Sequence, residues 1–170
     1  MSFKWIGAIL IISGCGGVGF AMAGAYRREE RTLRQLIGAL DYMACELQYR
    51  LTPLPDLCAQ AAAESSGHVS KVLRALSEEL EHQVLPDVNG CMQAALASAG
   101  ELPARTREAF QIMGSSLGRF DVDGQLKGLE AVRSYCRREL EALSTGRDAR
   151  LRSYQTLGIC AGAALAILFV

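Results

Sequence analysis

Six cysteines, at positions 15, 45, 58, 91, 136 and 160, and two histidines, His68 and His82, have the greatest capacity for metal or nucleophilic chemistry in this chain of 170 residues. A structural zinc site needs ligands in close pairs, and no CxxC or similar pairing occurs. Cys15 and Cys160 fall in uncharged apolar segments. Cys45, Cys58, Cys91 and Cys136 fall on or near apolar helical stripes, where a reduced cysteine packs as a small hydrophobe. Glu78 and His82 stand one helical turn apart, and a solvated pair is the simpler reading than a shared metal. Ser115-Ser116 has no histidine and acid to activate it. Without a glycine-rich phosphate loop, ATP hydrolysis by this chain is not expected. The run around Arg137, Arg138, Glu139 and Glu141 reads as a solvated helix face. No nucleophile, base and orienting group converge, so the chain is expected not to be an enzyme and to need no catalytic residue, metal or cofactor. With 18 basic and 18 acidic residues the net charge is zero, so no nucleic-acid partner is indicated.

One constellation remains, the corner Thr52-Pro53-Leu54-Pro55-Asp56. Before it, Leu33, Leu36, Ile37, Leu40, Met43, Ala44, Leu47 and Leu51 recur at steps of three and four and make one stripe of a helix. Arg34, Gln35, Asp41, Glu46 and Gln48 lie off that stripe. Pro53 disfavours helix at Thr52, and Pro55 suits the first turn of the next helix. A rigid loop at the end of a fixed helix can act as a docking knob for another protein. The competing reading is a plain turn defined by its prolines. Asp121 and Gln125 carry the same ambiguity, as cap and turn residues or as contacts.

The elements that hold this corner are helical. Half of the residues are apolar but only 6% are aromatic, which favours helices over sheets. Leu57, Ala61 and Ala62 fit a short helix ended by Gly67. Val69, Val72, Leu73, Leu76, Leu80 and Val84 form a second stripe, opposite Lys71, Arg74, Glu78, Glu79 and Glu81. Residues 86–90, PDVNG, read as a break. A helix from Cys91 to Ala99 ends at Gly100, and Leu102-Pro103 opens the next, with Phe110, Met113 and Leu117 inward. Residues 118–124 read as a connector, with Phe120 plugging the core. Leu126, Leu129, Val132, Cys136, Leu140 and Leu143 form the last stripe, over 125–145. The expected class is all-α, an antiparallel bundle of about six helices with short loops.

Residues 5–26 carry no charge and, at about 1.5 Å per residue, are long enough to cross a hydrocarbon core of roughly 30 Å. Trp5 and Tyr26 mark its edges as interfacial aromatics do, and Gly7, Gly14, Gly17 and Gly24 suit close helix packing in lipid. Two processing readings compete with a retained anchor. Ala21-Met22-Ala23 has the pattern of a signal-peptide cleavage site, and Ile12-Ser13-Gly14-Cys15 that of a lipoprotein box. Leu157 to Val170 is again almost wholly apolar; begun at Tyr154 it makes a slightly short span of about 25 Å. Arg27, Arg28, Arg31 and Arg34 follow the first segment, and Arg147, Arg150 and Arg152 precede the last. The positive-inside rule then puts the middle of the chain in the cytoplasm. The expected organisation is an N-terminal transmembrane helix over 1–26, a cytoplasmic helical bundle over 27–153 and a C-terminal transmembrane helix over 154–170.

The residues of the corner also carry a resemblance. LRQL at 33–36, Ala39-Leu40, Glu46-Leu47, Tyr49 and TPLPD resemble the N-terminal half of the stage III sporulation protein AB family of spore-forming Firmicutes. Leu117-Gly118, Asp121 and Gln125 resemble a second block of that family, and Leu157-Gly158 with its apolar tail resembles its terminus. Asp41-Tyr42-Met43, the glycine-rich first segment and the six cysteines depart from it. The resemblance implies a retained anchor and a structural part of the engulfment-stage channel between mother cell and forespore. It also implies a bundle similar to the cytoplasmic domain of type II secretion inner-membrane platform proteins. The implied partners are a secretion-type ATPase and the other stage III channel proteins. The implied place is the mother-cell membrane around the forespore, with the bundle facing the cytoplasm. A membrane-anchored signalling or regulatory bundle would share this architecture. A homo-oligomer fits either reading.

Overall fold

Proline, aspartate and left-handed glycine set the helix ends along this chain, and apolar stripes fill the lengths between. The structure is a computed structural model that describes residues 2–82, 87–118 and 121–169, with side chains described over 24–82, 87–118 and 121–145. The described residues form six helices: α1 (Ser2–Tyr49), α2 (Leu54–Glu64), α3 (Gly67–His82), α4 (Val88–Ser98), α5 (Ala104–Ser116) and α6 (Val122–Phe169). No strand occurs among the described residues. The chain divides into two compact units, one of Glu29–Leu140, the other of Met1–Arg28 with Glu141–Val170.

Within Glu29–Leu140, short α2 to α5 pack in sequence, each on the next. Each helix start has a local cause. Pro53 is the N-cap of α2 and Pro55 lies in its first turn, where a missing N–H costs nothing. Asp87 caps α4, its carboxylate accepting from Gly90 N at 3.1 Å. Pro103 precedes α5, and Asp121 caps α6 by accepting from Gly124 N at 3.0 Å. The core takes Leu33, Leu36, Leu40, Met43 and Leu47 from α1. It adds Leu57, Cys58 and Ala61 from α2, and Val69, Val72, Leu73 and Leu76 from α3. Cys91, Met92, Ala95 and Leu96 of α4, Phe110 and Met113 of α5, and Leu129, Val132 and Cys136 of α6 complete it.

Two arginines tie α1 to α6. Arg105, on α5, reaches Glu29 of α1 at 3.0 Å and Glu139 of α6 at 2.5 Å. Arg133 of α6 reaches Asp41 of α1 at 2.7 Å and its own neighbour Glu130 at 2.7 Å. Arg105 links Glu29, early in the described part of α1, to Glu139 of α6, while Asp41, further along α1, meets Arg133, earlier in α6, so the two helices run antiparallel here. Tyr135 of α6 donates to Glu108 of α5 at 2.8 Å, adding a third polar tie.

The six-helix count and the stripes agree with the sequence reading, and several boundaries move. PDVNG is not wholly a break: Val88, Asn89 and Gly90 form the first turn of α4, because Asp87 supplies the cap. Gly67 does not end α2; Ser65 does, and Gly67 opens α3 with φ +62°. Leu51 leaves the α1 stripe and is 65% exposed, because the helix stops at Tyr49. Leu126 and Leu140 are half-buried rather than core. The divisions at 26/27 and 153/154 fall inside α1 and α6, each 48 residues long. Phe120 and Val84 lie outside the described residues, as do the side chains of 1–23 and 154–170, including Cys15 and Cys160. Among the described residues no helix is long and apolar enough to cross a membrane.

Candidate functional site at the proline corner

α1 delivers the corner. Leu47, on its last full turn, is buried, while Tyr49 stands out at 77% exposure. Arg50 N still donates to Glu46 O at 2.9 Å, so the helical ladder ends there. Leu51 then adopts φ +51°, the left-handed conformation that closes a helix and normally belongs to glycine. For leucine this costs on the order of 1–2 kcal/mol, and the residue stays largely exposed. Tyr49 and Leu51 are the exposed large hydrophobic residues of the described chain. Spending strain to hold an exposed leucine is an arrangement that packing alone does not explain.

The rest of the corner is fixed from several sides. Thr52 Oγ1 donates to Glu46 at 3.4 Å, and Arg50 pairs with the same carboxylate at 3.6 Å. Pro53 O accepts from Leu57 N at 2.9 Å as α2 begins. Pro55 O accepts from Ser77 Oγ at 3.0 Å, which pins the corner to α3. Asp56 is exposed in the first turn of α2, where its charge favours the positive end of the helix.

Across from the corner lie Gly118, Val122 and Gln125. Together with Leu47, Leu51, Thr52, Pro53 and Leu54 they line one hollow of about 250 Å³. Gly118 has φ +73°, and a Cβ on it would fall 2.3 Å from Val88 Cγ2. Only glycine therefore lets this wall form. Two separate sequence blocks, TPLP and the Leu117–Gln125 stretch, meet here. Pro55 and Asp56 support the corner without lining the hollow. Asp121 is a helix cap, and Gln125 is a lining residue. The lining is mostly apolar, with Leu51 part of it and exposed Tyr49 two residues before it in the chain.

The other candidates do not assemble. No group of three or more metal-ligating side chains gathers among the described residues. Cys58, Cys91 and Cys136 are free thiols in the core, and Cys45 is free and exposed. Burial pushes the Cys58 thiol up to about 12 and the Cys136 thiol likewise to about 12. Ser115 and Ser116 border a second, shallower hollow with Gly124, Lys127 and Gly128, of about 510 Å³. Both hydroxyls donate to Ile112 O, at 2.7 and 2.6 Å.

A sequence profile of stage III sporulation protein AB (spore_III_AB) matches residues 4–170. The chain belongs to that family. The stage III sporulation protein AB of Bacillus subtilis (strain 168) is 35% identical over 78 residues, which cover 46% of this chain and 46% of that protein. The matched stretch therefore spans about half the length of this curated relative. A solved structure of stage III sporulation protein AB (SpoIIIAB) superposes with a TM-score of 0.63 at 22% identity, covering 72% of this chain and 98% of that one. The likeness shows that the all-helical fold belongs to the family. In this chain the proline corner and Gly118, Val122 and Gln125 line one hollow.

Proposed function

We propose that this chain is a non-enzymatic, membrane-anchored structural component of the channel between mother cell and forespore. Its bundle acts there as a platform for a cytoplasmic secretion-type ATPase. Family membership supports a role in sporulation. The uncharged stretches at 5–26 and 157–170, each bordered by arginines on the bundle side, support anchoring at both ends with the bundle in the cytoplasm. The observation that carries the docking role is the proline corner, where Tyr49 and Leu51 stand exposed beside a preformed hollow. Rigid aromatic and aliphatic anchors next to a pocket are the features that dominate protein interfaces. The platform reading extends an analogy of architecture, so its test is direct.

A photo-crosslinking amino acid is placed at Tyr49 of the full chain in sporulating cells, with exposed Gln111 on α5 as the control position. An adduct with the ATPase from position 49 and none from position 111 is the expected result. Adducts with no channel protein from position 49 would remove the platform reading.

A further inference from the structure

We propose that the outer face of α3 is a two-fold interface with a second copy of this chain. Lys71, Arg74, Glu78 and Glu81 are all exposed and follow at steps of three, four and three, so they form one stripe. None of the four joins an ion pair or side-chain hydrogen bond among the described residues. Arg74 and Glu78 are one turn apart, but with the base N-terminal to the acid, the weaker order for an intrahelical pair. The charges also oppose the helix dipole. The first turn of α3 holds no acid, its bases come early, and its acids gather toward the C-terminal end. Within one molecule this order brings little gain.

Between two molecules it brings more. Both opposite-charge pairs are centred on one residue, Leu76. Lys71 and Glu81 lie five positions before and after it, and Arg74 and Glu78 lie two before and after. An antiparallel pair of α3 helices related by a two-fold axis at this point sets Lys71 against Glu81 of the second copy and Arg74 against Glu78. The axis repeats both pairs, giving four. At about 1.5 Å per residue, Lys71 is only about 7.5 Å along the helix from the axis, so its long side chain tolerates an ordinary crossing angle. Leu76 points into the core, and the surface beside the axis is Ala75, small enough for two helices to approach. The complement of a base-base-acid-acid stripe read antiparallel is the same stripe. An unrelated acidic or basic partner would match half of it, whereas a second copy matches all of it, as an isologous contact requires. Exposed ion pairs are individually weak, so the contact is sensitive to salt and local concentration.

The test uses the full chain in detergent with Cys45→Ser to remove the exposed native thiol and Ala75→Cys placed near the axis. A short bis-maleimide should give a covalent dimer whose yield falls as salt is raised. K71E/R74E makes the stripe wholly acidic and E78K/E81K makes it wholly basic. Each alone should weaken dimerisation about tenfold or more, the effect of replacing four attractions by repulsions. Mixing the two, with different tags, should restore a heterodimer. The quadruple exchange, K71E/R74E/E78K/E81K, should restore the homodimer. Circular dichroism checks that each variant is folded; one that melts early is replaced by its glutamine counterpart, such as K71Q/R74Q. Absence of a dimer in the parent, or unchanged dimer in both double variants, overturns the proposal. So does a loss that neither mixing nor the quadruple exchange repairs.

Discussion

Burial decides the chemistry of the cysteines residue by residue. Cys58 is raised by burial alone. Cys136 is raised mainly by burial, with a backbone hydrogen bond pulling the other way and Glu139 adding a little. An unfolded chain ionises both thiols near their ordinary value of 9.0, while burial pushes both up to about 12 in the folded chain. Between these limits the unfolded chain binds fewer protons. The stability these groups contribute is therefore complete below pH ~9 and falls as pH rises, by up to about 1.4 kcal/mol per unit and thiol. Tyr135 acts in the same direction above pH ~10, because burial and then its hydrogen bond to Glu108 favour its neutral form. Urea midpoints measured from pH 8 to 11 should fall steadily. In C58A/C136A the starting stability drops, by about 1–3 kcal/mol for the lost packing, but the alkaline slope should flatten. An unchanged slope in the double variant would show that other groups carry the alkaline loss. The same burial makes these two thiols poor nucleophiles and poor metal ligands.

The helices meet at places where the element, not the residue type, sets the requirement. Gly118 closes α5 with φ +73° and lies under Val88 of α4, so any side chain there meets both backbone strain and a blocked position. Gly118→Ala should destabilise by about 2–4 kcal/mol, as overpacking and a left-handed alanine each cost on the order of 1–3 kcal/mol. Gly24→Ala on α1, where a Cβ meets nothing within 4 Å, should not destabilise. Thermal melts of both variants decide the matter; equal melting temperatures would mean that the α5–α6 turn reorganises at little cost. Nothing in the sequence marks Gly118 beyond its place after Leu117, since the clash is with a residue thirty positions earlier. The stripes of α1, α3 and α6 were legible because period alone reports which face is buried. The corner was legible because prolines act locally. Leu51 was misplaced because it continues the stripe by spacing although the ladder has already ended at Arg50. The start of α4 was missed because turn-forming Asn89 and Gly90 tolerate helix once Asp87 caps it. The hollow itself needs two blocks more than sixty residues apart, and only the tertiary fold brings them together.

At the scale of the whole molecule, α1 and α6 are antiparallel where Arg105 and Arg133 hold them, and the residues of each continue past the unit in which those arginines lie. On the proposed reading, in which both uncharged ends are anchors, the arginines that border them predict a bundle in the cytoplasm. Cys45 gives this proposal a probe. It is exposed on α1, while the other described cysteines are buried. The full chain, expressed in growing cells, is prepared in right-side-out and in inside-out vesicles and treated with a membrane-impermeant maleimide. Labelling is expected in the inside-out vesicles and near background in the others, and C45S should abolish it. A third measurement separates anchoring from topology: alkaline carbonate leaves a spanning chain in the membrane pellet and releases a peripheral one. Strong labelling of right-side-out vesicles with the chain still in the pellet would reverse the orientation and place the proline corner outside the reach of any cytoplasmic ATPase. Release by carbonate would instead remove the anchors and leave the corner to find its partner from solution.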